Sequence, residues 1–248
     1  MNARILSHYQ QRIKDNLEYL DNATIRTSLE HFKSNLERET SLLNSASDRK
    51  HNLEFLANFY DESLSLLEES EDEMNETISN VIGDLKSLAT DSFSDSIVEQ
   101  IQTSLQNFQL KDGYESFNGL MFEYDTGFNF SGIAFKEPKF EVILENPKYI
   151  EFEDGSYACD FPVDFELEED FEEILSEEFE EIAWEFEYEL EIFQKIKETA
   201  YAIVAINLHE AMQSDVLKVA LDGLGFEKMG VVYLNEHDME VKSVYVNE

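Results

Sequence analysis

Residues 157–193 read YACDFPVDFELEEDFEEILSEEFEEIAWEFEYELEIF, and the periodicity of this stretch decides the fold. Its first part alternates: Tyr157, Cys159, Phe161, Val163, Phe165 and Leu167 stand against Ala158, Asp160, Pro162, Asp164 and Glu166. That period of two predicts a strand with one apolar face, and Pro162 predicts an edge strand or a bulge. From Glu168 the period changes. Phe171, Leu175, Phe179, Ile182, Phe186, Leu190 and Phe193 fall on one stripe at 100° per residue, which predicts a long helix running past Ile196, to about Met212 with a break near Thr199. The stripe should cover the apolar face of the sheet that precedes it.

Upstream, further strands are expected around Phe128 and Phe130, then Phe140, Val142 and Leu144, then Ile150 and Phe152. The turn chemistry of Asp125-Thr126-Gly127, Asn146-Pro147 and Asp154-Gly155 joins them into a meander. Its polar face would present Glu141, Glu145, Glu151, Glu153, Asp160 and Asp164. Upstream of Lys111-Asp112-Gly113 the period is helical throughout, with Ile5, Tyr9, Ile13, Leu17 and Leu20 as its first run. Proline is absent from residues 1–110, and the breaks fall at Asn44-Ser45-Ala46-Ser47-Asp48 and Thr90-Asp91-Ser92, so helices of one to two dozen residues should pack antiparallel. Downstream, Ser214-Asp215 reads as the N-cap of a short helix ending at Gly223 or Gly225, and Val231–Leu234 with Val241–Val246 as a hairpin. The expected class is α+β: an N-terminal antiparallel helical array over 1–110, then an acidic α+β domain over 113–248. In the latter, an antiparallel β-meander packs against a long acidic helix and a β-hairpin closes the chain.

The charge is as uneven as the periodicity. The 248 residues carry a formal net charge of −37, yet residues 1–50 hold eight basic and seven acidic side chains. Between Tyr149 and Gln194 there are nineteen acidic side chains and no Lys or Arg. Such a polyanion repels nucleic acid and anionic membrane surfaces, so neither is expected as a direct partner. With 42% apolar and 12% aromatic residues, the composition excludes wholesale disorder. Salt adaptation would spread acid over the whole surface, and the near-neutral first 50 residues argue against it. A single cysteine, an opening MNARILSHYQ without an apolar signal core, and no apolar run longer than Ala200–Ile206 together predict a cytoplasmic, soluble chain.

On the predicted acidic helix, Glu166, Glu169, Glu173, Glu177, Glu180, Glu181, Glu187 and Glu191 lie away from the apolar stripe, with Trp184 and Tyr188 one turn apart among them. Trp and Tyr anchor interfaces, whereas solubility does not require them. The plainer reading is that the N-terminal helices pack over both rings. Fourteen carboxylates between Glu166 and Glu191 would place one charge every ~2.8 Å of helix, between the spacing of duplex and single-stranded DNA. These ten residues are the candidate partner-binding set.

Catalytic candidates are weaker. His209-Glu210 lacks the second histidine of a zinc helix and reads as a core or surface histidine. Glu236-His237-Asp238 with Glu240 reads as a hairpin turn rather than a metal site, and Cys159 as inert packing on a strand. The run Glu68-Glu69-Ser70-Glu71-Asp72-Glu73 reads as a solvated turn between helices. Nucleotide-binding glycine loops and nucleophile elbows are absent. No cofactor, metal or catalytic residue is therefore expected.

The expected function is non-enzymatic: an acidic protein that inhibits a basic protein partner. That partner would be a nuclease-type toxin countered by an immunity protein or antitoxin, or another nucleic-acid-binding protein countered by a DNA-mimic inhibitor. The alternatives are a structural subunit forming a homo-oligomer through the N-terminal helices, and an enzyme with a carboxylate-based metal site.

Overall fold

The computed structural model describes residues 1–124, 130–136, 141–146, 149, 157–163, 176–236 and 240–248. It is α+β, as the periodicities predict. Among the described residues the helices are α1 (Asn2–Leu20), α2 (Ile25–Leu42), α3 (Ala46–Leu88), α4 (Ser94–Leu105), α5 (Glu177–Glu185), α6 (Glu191–Met212) and α7 (Asp215–Gly223). The strands are β1 (Phe117–Tyr124), β2 (Phe130–Phe135), β3 (Cys159–Val163), β4 (Phe226–Glu236) and β5 (Lys242–Val246).

Two compact units emerge, each built from chain on both sides of the period change at 111–113. One comprises Met1–Arg12, Asp91–Glu172 and Tyr201–Glu248, the other Ile13–Thr90 and Glu173–Ala200. Counted by unit, the first holds nine basic and 28 acidic side chains and the second nine and 27. The near-neutral start of the sequence thus folds together with acidic chain. Its contrast with the remainder, which counted against salt adaptation, does not persist in the fold.

In the first unit the five strands form one sheet in the order β3-β2-β1-β4-β5. β1 pairs antiparallel with β2 and parallel with β4, so the sheet is mixed rather than a purely antiparallel meander. Among the described strands β3 lies at the edge, a position that tolerates the missing N–H of Pro162. β1 is central and buried on both faces, so Leu120-Met121-Phe122 form a continuous apolar run without alternation. Gly119 lies opposite Phe135, whose ring occupies the space a Cβ would need, at 2.3 Å. One sheet face packs Met121, Phe135, Val231 and Tyr233 with Ile143 and Val241. Residues 141–144 form no strand; Ile143 exchanges hydrogen bonds with Ser243 at the β5 edge. On the side of β4 and β5, carbonyls of Leu234, Ser243 and Val244 meet Tyr201, Tyr9 and His209 of α6 and α1. Within this unit α4 also contacts β3 and α7 contacts β4. Phe128, Phe140, Ile150, Phe152, Glu151, Glu153 and Asp164 lie outside the described residues.

In the second unit α2 and α3 form an antiparallel hairpin. Arg26 grips Glu71 by paired hydrogen bonds of 2.5–3.0 Å, Lys33 lies over the Tyr60 ring, and Phe32 packs on Phe59. The break at 43–45 is where the polar cluster places it, with Ser45 capping α3. α3 is longer than expected. Its 43 residues bend at Ser70 (φ −142°, ψ 16°), so the run Glu68–Glu73 is a kink within a helix rather than a turn between two. Arg26 holds the Glu71 carboxyl below its ordinary pKa through those hydrogen bonds.

Candidate functional site

The acidic segment folds differently from the single helix its stripe predicts. Ser176 caps α5 by accepting from the Phe179 amide, and Glu177, Glu178 and Glu180 in the first turn complement the helix dipole. Of the predicted apolar stripe Phe179, Phe186, Leu190 and Phe193 are inaccessible and Ile182 is half-buried, while Phe171 and Leu175 lie outside the described residues. The inaccessible side chains belong to the second unit, where α5 packs against α3 and Phe193 contacts both Phe179 and Phe186.

α5 ends after nine residues because the backbone reverses at Phe186–Leu190. The Glu187 amide donates to Trp184 O and the Tyr188 amide to Ala183 O, both at 2.9 Å, the two bonds of a Schellman turn. The residue after the C-cap in that motif must be left-handed, a conformation that favours glycine. Here it is Glu187 (φ 50°), followed by Tyr188, also at positive φ (56°). The chain places glycine at the same position after α7, where Gly225 (φ 93°) also has a carbonyl oxygen 2.8 Å from its missing Cβ. Without a Gly or Pro, nothing in residues 184–191 announces the turn.

The turn opens the candidate surface. Trp184 is 73% exposed, so none of the described helices covers it. Tyr188 is half-buried and held on three sides. Its hydroxyl donates to Glu180, Lys197 Nζ lies 4.2 Å from its ring centroid, and Trp184 meets it edge to face at 6.2 Å. Lys197 also pairs with Glu180 at 3.3 Å, tying the start of α6 to α5 across the turn. Glu177, Glu181 and Glu187 are exposed, while Glu191 at the head of α6 pairs with His31 at 2.9 Å. The buried Ser28 of α2 receives the Ile192 amide and fixes where α6 begins. Glu166, Glu169 and Glu173 lie outside the described residues.

Eight carboxylates between Glu177 and Glu191 are therefore divided among a short helix, a turn and the next helix. The straight rod of charge inferred from a continuous helix does not form. The sequence reading also missed Lys195 and Lys197, the first cations after the 46-residue acidic stretch. Their position at its very end was the available signal.

The rejected catalytic candidates can be placed too. His209 is a core histidine, its Nδ1 2.6 Å from Val244 O and its Nε2 2.6 Å from the Gln213 amide, and desolvation lowers its pKa. Cys159 is buried, and desolvation raises its thiol pKa. Ser116, Lys136 and Glu227 form a hydrogen-bonded triad at 2.6–2.9 Å in which the hydroxyl donates to a carboxylate already paired with an ammonium. Among the described residues no group of His, Cys, Asp and Glu is arranged to hold a metal, and no helix is long and apolar enough to cross a membrane. His237 and Asp238 lie outside the described residues. No protein family, curated protein or solved structure matches the chain.

Proposed function

We propose that this is a non-enzymatic acidic protein that captures and neutralises a basic protein partner in the cytoplasm, in the manner of an immunity protein or antitoxin facing a nuclease-type toxin. The supporting observation is Trp184, 73% exposed on a helix face otherwise lined by carboxylates. An aromatic of this size left in water beside Glu177, Glu181 and Glu187 gains nothing for the fold, whereas in an interface it is the residue type that anchors. The carboxylates steer a basic partner at long range, and the ring supplies contact area once water is excluded. With the carboxylates divided by the Phe186–Leu190 turn, the surface resembles a compact anchor ringed by charge more than a copy of duplex DNA.

The test is affinity isolation of the full chain from its native cell at low salt, followed by binding measurements with the identified partner. Support is a basic partner whose affinity falls steeply with salt and is weakened by joint charge reversal of Glu177, Glu180 and Glu181 without unfolding. Affinity that survives both salt and charge reversal rules the reading out.

A second reading has its own observation. Leu42, Leu53 and Phe55 in the α2–α3 hairpin are 76%, 49% and 36% exposed, apolar side chains of the N-terminal helices that favour self-association as a structural subunit. Concentration-dependent sedimentation that is abolished by Leu53→Glu supports it, and a monomer at all concentrations excludes it.

A further inference from the structure

Tyr188 and Trp184 are neighbours with different occupancy. The Tyr188 face carries a cation supplied by the chain itself: Lys197 Nζ stands 4.2 Å from the ring centroid and 3.3 Å from Glu180 Oε1. Aromatic face and carboxylate thus hold one positive charge between them, the geometry in which an ammonium gains from both the ring quadrupole and the ion pair. Trp184 repeats the composition of that seat without an occupant among the described residues. The two rings meet at 80°, so they are not stacked in parallel, and the indole is 73% exposed to solvent. Helical spacing places Glu180 and Glu181 one turn before it on the same side, and Glu185 and Glu187 beside it are exposed.

Resting on the proposed capture of a basic partner, we infer that Trp184 with Glu181 and its neighbouring carboxylates is a seat for an arginine guanidinium of that partner, adjoining the seat that Lys197 already fills. Arginine is selected over lysine because its planar, weakly hydrated guanidinium stacks flat on an indole while donating, in its own plane, to a carboxylate beside the ring. A strongly hydrated ammonium does only one of these well. The two basic residue types, interchangeable to a diffuse acidic surface, are distinguished by this one.

The chain contains one tryptophan, so fluorescence excited beyond the tyrosine absorption band reports on this seat alone. Titration with hexa-arginine and with hexa-lysine, equal in charge, separates seat from surface. The expected result is a tryptophan emission change on adding hexa-arginine and affinity about fivefold above that for hexa-lysine. By calorimetry Trp184→Leu, which keeps an apolar side chain but no ring, brings the two peptides to the same affinity. Trp184→Ala serves as a second variant, and circular dichroism confirms that both remain folded. Equal, salt-sensitive binding of both peptides by the wild type overturns the guanidinium seat while leaving the capture reading standing. An arginine preference that persists in Trp184→Leu also overturns the seat. Failure to bind either peptide at low salt overturns both.

Discussion

The Tyr188 hydroxyl donates a hydrogen bond to Glu180, eight residues earlier in the chain, and it does so from a backbone at positive φ. This bond and Lys197 above the same ring pin a strained turn against the helix it terminates. An ordinary glycine turn needs no such support. The chain retains two carboxylates, Glu187 and Glu189, just beyond the C-terminus of α5, where the helix dipole disfavours negative charge. Local stability and local charge are in conflict here, and charge has prevailed.

Replacing the misfit residue should therefore stabilise the fold. A left-handed non-glycine residue costs about 1–2 kcal/mol, partly offset by the greater chain entropy of glycine in the unfolded state. Glu187→Gly is expected to gain about 1 kcal/mol, or about 2–4 °C in melting temperature for a chain of this size. Thermal and urea unfolding check it, and a loss of stability would show that Glu187 makes a compensating contact.

Gly119→Ala should act in the opposite direction. A methyl group there would lie 2.3 Å from the Phe135 ring, which cannot yield because it is itself buried in the core. Overpacking of this kind costs about 1–3 kcal/mol, read as a lower urea midpoint with an unchanged slope. Wild-type stability in this variant would contradict the β1–β2 register.

Stability should fall on acidification through the histidine range. His209 and His8 both have pKa values lowered from the ordinary 6.5, chiefly by desolvation. A histidine depressed in the folded state binds fewer protons there than when unfolded. Its stabilising contribution is full above 6.5 and is lost as pH falls below that value toward the folded pKa. Urea midpoints between pH 7.5 and 5.5 should decline, and His209→Gln should flatten the decline without abolishing it, since His8 remains.

Salt should move folding and binding in opposite directions. Each compact unit carries about three acidic side chains for every basic one, so screening relieves repulsion and the melting temperature should rise between low and molar sodium chloride. Capture of a basic partner should weaken over the same range. A melting temperature that does not respond to salt would show that the excess charge is offset within the fold.

Where the sequence could be read, a local rule carried the reading. The N-cap Ser214, the breaks at residues 43–45 and 89–93 and the closing hairpin follow from side-chain chemistry that acts within a few residues. β1 escaped because a strand buried on both faces loses the alternation that marks strands, and its parallel pairing with β4 depends on chain more than 100 residues away. At the candidate site the exposure of Trp184 was legible, as was the burial of Phe179, Phe186, Leu190 and Phe193, whereas Tyr188, read as a helix-face residue, lies in the turn beyond the helix. That turn was not legible, because Glu187 and Tyr188 carry no left-handed preference. Only tertiary contacts, with Lys197, Glu180 and Ser28 among them, hold the chain in that shape.

The central claim is that Trp184, set among carboxylates, is the anchor for a basic partner. Its most direct measurement is the dissociation constant of the partner isolated with the native chain, for wild type and Trp184→Ala, at low and at high salt. The account predicts that loss of the ring weakens binding by about 30-fold, the effect of removing an anchor worth about 2 kcal/mol, and that salt weakens both proteins further. A partner held equally well by Trp184→Ala at both salt concentrations would contradict it.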